Sequence, residues 1–376
     1  MTNGKKILVL YITEHSGHHS AALAIKKGLE VKDSSVTVAC VNAFKYAFPF
    51  AERIIHSIYL TVIQKVPKIW ESMYDNPKLV GKSQKIKSWI HLLGIKKLKG
   101  LVDHFKPEIV LCTQAFPCGM VAEYKREYHS HIPLIGVLTD FAPHSFWVYN
   151  HVDYYIVPSE ESKDMLIQKG VRNEKIKTLG IPIDPKFARH LDKNELFANF
   201  GLNPEIPVIM IMGGGHGLGP IKEILYRLDG SPQLFHIIVV CGINTRLYNW
   251  VTQTPFKNRI LAFKFTDQID RLMSISSLII TKPGGMTTAE ALAKRIPMII
   301  LNPIPGQEAR NTQILIKSGA ALKVDTPEEL LPAIQDILET SQKQGGIFSI
   351  LSNMQHLSKP QSSIQIAEFV LNLINH

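Results

Sequence analysis

Short runs of β-branched and aliphatic residues, each followed by a helix-length segment, recur along this chain and restrict the folds open to it. Parallel strands need long crossovers, usually helical, so this alternation builds parallel sheets covered by helices on both faces. One series runs Ile7 to Ile12, Val36 to Val41, Ile109 to Thr113, Leu134 to Thr139 and Tyr154 to Pro158. A second runs Val208 to Met212, Ile237 to Cys241, Ile260 to Phe263, Leu278 to Thr281, Met298 to Leu301 and Ala321 to Val324. Each series suffices for its own sheet, and 376 residues exceed what one hydrophobic core usually serves. The expected class is α/β, with two Rossmann-like doubly wound domains facing across a cleft. Gly180, Pro182, Pro185 and the Asn203-Pro204 pair break regular structure between the series. The expected division is an N-terminal domain over 1–180, a linker over 181–206, a C-terminal domain over 207–360, and a helix over 361–376 packing back on the N-terminal domain. In open parallel sheets, ligands gather at the carboxyl ends of strands, so the turns after each strand are the places to search.

The turn after Val208 to Met212 is Gly213-Gly214-Gly215-His216-Gly217-Leu218-Gly219-Pro220, with five glycines in seven residues before a helix. Glycines let backbone approach a phosphate closely, and a helix N-terminus adds free N–H donors and the positive end of its dipole. A diphosphate is the expected guest, on Gly214, Gly215, His216 and Gly217. The turn lacks the Gly-Lys-Ser/Thr ending of a P-loop, which argues against an ATPase. A second glycine turn, Thr281-Lys282-Pro283-Gly284-Gly285-Met286-Thr287-Thr288-Ala289-Glu290, again separates a strand from a helix. Its Gly284, Gly285, Met286 and Thr287 suit a second phosphate-facing loop, and the Glu290 carboxylate can accept two ribose hydroxyls or serve as an ordinary surface group. After the next strand, Asn302-Pro303-Ile304-Pro305-Gly306-Gln307-Glu308 brings an amide and a carboxylate to a helix start, where Gln307 and Glu308 suit sugar hydroxyls.

In the first series, Thr13-Glu14-His15-Ser16-Gly17-His18-His19 joins the first strand to the first helix. The helix dipole disfavours imidazolium at its N-terminus, so His18 is the candidate base or acceptor-orienting group. Neighbouring His18 and His19 point apart on a helix, and only Glu14 accompanies them as a carboxylate, so no metal site is expected. Asp140, at a strand end, either assists the histidine or caps a helix. Trp147, close behind it, is either an apolar wall for a lipid or sugar or a core residue.

Composition narrows the partners. Lysine and arginine number 42 against 32 acidic residues, a net +10 that favours an anionic partner. Lysines between 65 and 106 interleave with Trp70, Trp89 and other apolar residues, which is either a solvated helix face over a normal core or a surface for anionic lipid. No recognised nucleic-acid module accompanies the charge, so no nucleic-acid partner is expected. The longest apolar runs fall far short of the roughly 20 residues a membrane-spanning helix needs. The four cysteines show no zinc or C-x-x-C spacing and read as buried thiols of a reducing compartment.

Together, Ser16-Gly17-His18, Thr139-Asp140-Phe141, Gly213 to Gly217, Lys282-Pro283-Gly284-Gly285 and Pro305-Gly306-Gln307-Glu308 resemble the monogalactosyldiacylglycerol synthase and processive diacylglycerol glucosyltransferase family. More distantly, they resemble the enzyme that adds N-acetylglucosamine to the peptidoglycan lipid precursor. The resemblance spans nearly the whole chain. It implies a GT-B fold and an inverting transfer of hexose from UDP-glucose or UDP-galactose to diacylglycerol or a glycosylated diacylglycerol. It also implies a cytoplasmic enzyme held peripherally on an anionic inner membrane face, with no cofactor beyond the co-substrate. It places a catalytic histidine at His18, diphosphate contacts at Gly214 to Gly217 and Gly284-Gly285, and a ribose carboxylate at Glu290. The uracil contacts fall at Phe265 and Thr266, sugar recognition at Gln307 and Glu308, and acceptor-side groups at Asp140 and Trp147. One departure is visible: the family's first loop carries more glycine before the histidine, where this chain has Glu14, His15 and Ser16. Alternatives are a transferase with another acceptor, a sugar-nucleotide epimerase, or a silent UDP-sugar-binding regulator.

Overall fold

The computed structural model describes residues 5–47, 95–301, 306–339 and 346–375. They form two six-stranded, wholly parallel sheets. The first contains β1 (Lys6–Tyr11), β2 (Thr37–Asn42), β3 (Ile109–Cys112), β4 (Leu134–Val137), β5 (Tyr154–Ile156) and β6 (Ile176–Lys177), in the order β2-β1-β3-β4-β5-β6. The second contains β7 (Val208–Met212), β8 (His236–Val240), β9 (Arg259–Phe263), β10 (Leu278–Thr281), β11 (Met298–Leu301) and β12 (Ala321–Val324), in the order β12-β11-β10-β7-β8-β9. Both orders reverse beside the first strand of their series, the arrangement of doubly wound folds.

The strand period of two sorts β1 onto two cores. Ile7 and Val9 face Ala22, Ile25 and Leu29 of the helix Gly17–Lys32, while Leu8 and Leu10 face Ala43, Leu98 and Met120. All four strand residues are fully buried, which is why the strand reads as an unbroken apolar run. In the second sheet, Ile209, Ile211, Ile237, Val239, Leu278 and Ile280 share a core with Ile224, Leu225 and Leu228 of the helix Ile221–Asp229.

The chain divides into two compact units, one of Met1–Pro185, Pro305–Gln307 and Gln361–His376, the other of Lys186–Ile304 and Glu308–Pro360. The stretch expected as a linker is packed: Ile181 and Ile183 are buried in the first unit, and Phe187, Leu196 and Leu202 in the second. Asp192 caps the helix Lys193–Phe200, accepting from the N–H groups of Asn194 and Glu195, and Gly201 ends it at φ 60°. The closing helix Ser362–Asn375 lies against the helix Gly17–Lys32 within the first unit, burying Ile366, Ala367 and Val370 in the core that holds Ile25 and Leu29. Their approach is close enough that a Cβ on Gly28 would fall 2.3 Å from the Ser363 carbonyl oxygen. Cys112, Cys118 and Cys241 are buried free thiols, whereas Cys40 is only half-buried. Among the described residues, no helix is long and apolar enough to cross a membrane.

Candidate functional site

In the first unit, the site is built where β1, β3 and β4 end side by side. The hydroxyl of Ser16 caps the helix Gly17–Lys32, accepting from the His19 N–H at 3.3 Å and donating to the Thr13 carbonyl at 2.6 Å. Thr13 and His15 hold φ angles of 65° and 57°, left-handed conformations that glycine adopts without penalty. Glu14 pairs with Lys45 at 3.1 Å, and the His19 ring stacks on Tyr11 with centroids 4.5 Å apart.

His18 stands in the first helical turn. Its Nδ1 lies 2.9 Å from the Thr113 carbonyl oxygen, at the end of β3, and 2.9 Å from Thr139 Oγ1, past the end of β4. A carbonyl oxygen only accepts, so the Nδ1 carries the proton and Nε2 the lone pair. Thr113 also donates its hydroxyl to the His18 carbonyl at 2.8 Å, tying the helix start to the strand end. Burial pushes the His18 pKa below its ordinary value, against the opposing pull of the Asp140 carboxylate and of the Thr113 carbonyl. The imidazole is therefore neutral at pH 7. No local sequence pattern marks Thr113 and Thr139 as partners of His18, although both follow strands at whose carboxyl ends ligand-binding groups gather.

Trp147 departs from the expectation of an acceptor wall. It is 4% exposed, packs in the core with Val152 and Tyr155, and its carbonyl accepts from the Tyr155 hydroxyl at 2.9 Å. Its indole is a core group, placed there by the short helical turn Ser145–Trp147. Trp70 and Trp89, with most of the lysines around them, lie outside the described residues.

In the second unit, the first glycine turn is closed by its own backbone. Gly217 N–H donates to the Gly214 carbonyl and Leu218 N–H to the Gly213 carbonyl, both at 3.0 Å. It is also pressed against the turn after β8: a Cβ on Gly217 would meet the Cys241 carbonyl oxygen at 2.3 Å, and Ile243 N–H donates to the Gly215 carbonyl at 2.9 Å. Gly217 thus shapes the turn, with its own N–H spent inside it. The helix Ile221–Asp229 that follows has no side-chain cap.

The second glycine turn leads into the helix Gly285–Lys294, whose cap residue Gly284 likewise supplies no side-chain bond. Gly285, Met286 and Thr287 are buried in its first turn, and Glu290 lies half-buried further along. Thr288 is fully buried, and its hydroxyl has no hydrogen-bond partner among the described residues. The helix Gln307–Lys317 grips this turn: Asn311 Nδ2 donates to the Pro283 carbonyl at 3.0 Å, and Glu308 Oε1 lies 2.9 Å from Lys282 Nζ. Gln307 belongs to the first unit and donates its amide to the Ala142 carbonyl at 2.6 Å. Phe265 is 57% exposed after β9, and Thr266 accepts from the Gln268 N–H at 3.2 Å. The structure therefore gathers His18 with Thr113, Thr139 and the field of Asp140 in one unit. In the other it brings together the two glycine turns, which share a small cavity lined by Met212, Gly213, Leu218, Gly219, Thr281 and Lys282.

Two wholly parallel, doubly wound α/β units, the second with glycine turns at its strand ends, are the architecture of the GT-B class. The solved structure of Acinetobacter baumannii MurG matches with a TM-score of 0.62 at 13% identity, over 98% of this chain and 99% of that one. The UDP-GlcNAc 2-epimerase of Neisseria meningitidis also matches at 0.62, with 16% identity over 98% and 100% of the two chains. Residues 18–183 match the monogalactosyldiacylglycerol synthase family, and residues 208–355 the glycosyltransferase family 28 C-terminal domain. The processive diacylglycerol β-glucosyltransferase of Bacillus licheniformis is 30% identical over 97% of this chain and 94% of its own. The chain belongs to this monogalactosyldiacylglycerol synthase and processive diacylglycerol glucosyltransferase family, and it is a glycosyltransferase.

Proposed function

We propose that this enzyme transfers glucose or galactose from the UDP-sugar to diacylglycerol or a glycosylated diacylglycerol, with inversion at the anomeric carbon. The observation that carries the catalytic assignment is the contact of His18 Nδ1 with the Thr113 carbonyl, a group that only accepts, so that Nδ1 donates and Nε2 is left basic. In the step proposed, Nε2 takes the proton of the acceptor hydroxyl while that oxygen forms a bond to the anomeric carbon. The bond from that carbon to the diphosphate oxygen breaks, and UDP leaves with the electron pair. Asp140 favours the imidazolium that forms.

The donor side rests on the second unit. The uncapped starts of the helices Ile221–Asp229 and Gly285–Lys294 offer backbone N–H groups and positive dipole ends to the diphosphate. In this assignment Gly214, Gly215 and His216 follow the phosphates closely, as do Gly284, Gly285, Met286 and Thr287, and Gly217 holds the turn. Glu290 accepts from the ribose hydroxyls, exposed Phe265 stacks on the uracil beside Thr266, and Gln307 and Glu308 read the hexose. No metal or other cofactor is assigned a role. Among the described residues, no three His, Cys, Asp or Glu side chains gather as ligands.

Work on a lipid acceptor calls for a membrane surface. The net charge of +10 supports peripheral attachment to an anionic inner face, which should weaken as salt rises. Purified protein incubated with labelled UDP-glucose or UDP-galactose and diacylglycerol vesicles, followed by lipid extraction, tests the assignment. Label in the lipid phase supports it, and a changed sugar nucleotide formed without acceptor would favour an epimerase.

A further inference from the structure

Among the described ion pairs of the second unit, that between Lys282 and Glu308 is one of two well shielded from solvent, the other being Lys186–Asp270. Lys282 and Glu308 are 15% and 20% exposed, whereas Lys323–Asp325 and Arg227–Glu328 stand well out in solvent. Lys282 follows β10 and stands two residues before Gly284, so its ammonium sits at the root of the second glycine turn. It also lines the cavity shared with Gly213, Leu218 and Gly219 of the first turn. Glu308 occupies the first turn of the helix Gln307–Lys317, one helical turn before Asn311. Residues three apart on a helix share a face, and this pair meets two successive residues of the loop: Glu308 meets Lys282, and Asn311 meets Pro283.

Asn311 is fully buried and holds the helix in register with the loop through the backbone of Pro283. Register alone leaves the glutamate side chain its own rotamers. A partly desolvated ammonium 2.9 Å from Oε1 removes most of that freedom, and a charge-assisted bond in such surroundings is stronger than one in water.

We propose that Lys282 is a positioning residue that acts through Glu308, fixing the carboxylate as an acceptor for hexose hydroxyls, so that the second glycine turn and the hexose subsite are built as one rigid piece. The proposal rests on the reading of Glu308 as a hexose contact. It makes Lys282 a determinant of how tightly the sugar is held, and distinguishes it from a cation that binds the diphosphate directly.

UDP and UDP-hexose separate these roles, because only the second carries the sugar. KM for the UDP-hexose that the enzyme turns over and the inhibition constant of UDP are measured for wild type, Lys282→Met, Lys282→Arg, Glu308→Ala and the Lys282→Met/Glu308→Ala pair, with thermal melts showing that each is folded. Lys282→Met is expected to raise KM about tenfold, the loss of one charge-assisted bond, and to leave the UDP constant within about twofold. Lys282→Arg restores much of the loss, and the double variant is no worse than Glu308→Ala. Equal weakening of UDP and UDP-hexose by Lys282→Met overturns the proposal in favour of a diphosphate contact, and an unchanged KM overturns it outright. If Glu308→Ala itself leaves KM unchanged, the hexose reading of Glu308 fails first; if it raises KM while Lys282→Met does not, only the role of Lys282 fails.

Discussion

A histidine acting as a base has to be neutral, in one tautomer and held in place, and at His18 different groups supply each condition. Burial keeps the ring neutral, the Thr113 carbonyl fixes the proton on Nδ1, and the Thr113 hydroxyl ties the His18 backbone to the end of β3. Because burial outweighs Asp140, loss of kcat on acidification is expected only below the ordinary imidazole value of about 6.5. Asp140→Asn removes a charge that raises the His18 pKa, so the acidic limb of the kcat–pH profile should move lower still; an unmoved limb would uncouple the two residues. The same lowered pKa costs stability as pH falls from the ordinary value toward the folded one, since the unfolded chain takes up the proton first. Thr13, a β-branched residue at φ 65°, carries strain that Thr13→Gly should relieve. The expected gain is about 1 kcal/mol after glycine's entropic cost, read from the melting temperature.

Elements differ in how plainly the sequence announces them. β1 and β11 are buried on both faces, so Ile7 to Leu10 and Met298 to Leu301 appear as unbroken apolar runs followed by turn residues. β6 is two residues at a sheet edge, Ile176 and Lys177, and so short a strand leaves no periodic trace. His18 and the glycine turns were legible because they follow strands directly. The threonines that lock His18 were harder to see, since their meeting depends on the order of β1, β3 and β4 in the sheet. Lys282 and Glu308 stand 26 positions apart, with no local pattern to join them. Trp147 was ambiguous for another reason: one spacing suits a core residue and a ligand wall alike. The close helix contact at Gly28 yields a prediction of its own. Gly28→Ala forces Cβ into the Ser363 carbonyl and should lower stability by about 2 kcal/mol, seen as an earlier melt, because the obstacle is backbone. Gly217→Ala should weaken UDP binding, measured by calorimetry, because both its φ of 57° and the Cys241 carbonyl oppose a side chain there.

Across the whole molecule, two units of one architecture carry different chemistry: a locked neutral histidine in one, and two glycine turns before uncapped helices in the other. The fold alone is shared by transferases and an epimerase, and membership of the diacylglycerol glycosyltransferase family separates them. The role proposed for His18 is that of the base in a sugar transfer to lipid. It is tested most directly by single-turnover transfer of labelled hexose from its UDP donor into diacylglycerol vesicles, comparing wild type with His18→Ala while UDP affinity is measured on the same preparations. The expected result is label in the extracted lipid for wild type, a rate lower by about 10²- to 10⁴-fold for His18→Ala, and equal UDP affinity. Transfer by His18→Ala at the wild-type rate would rule out that role for the histidine.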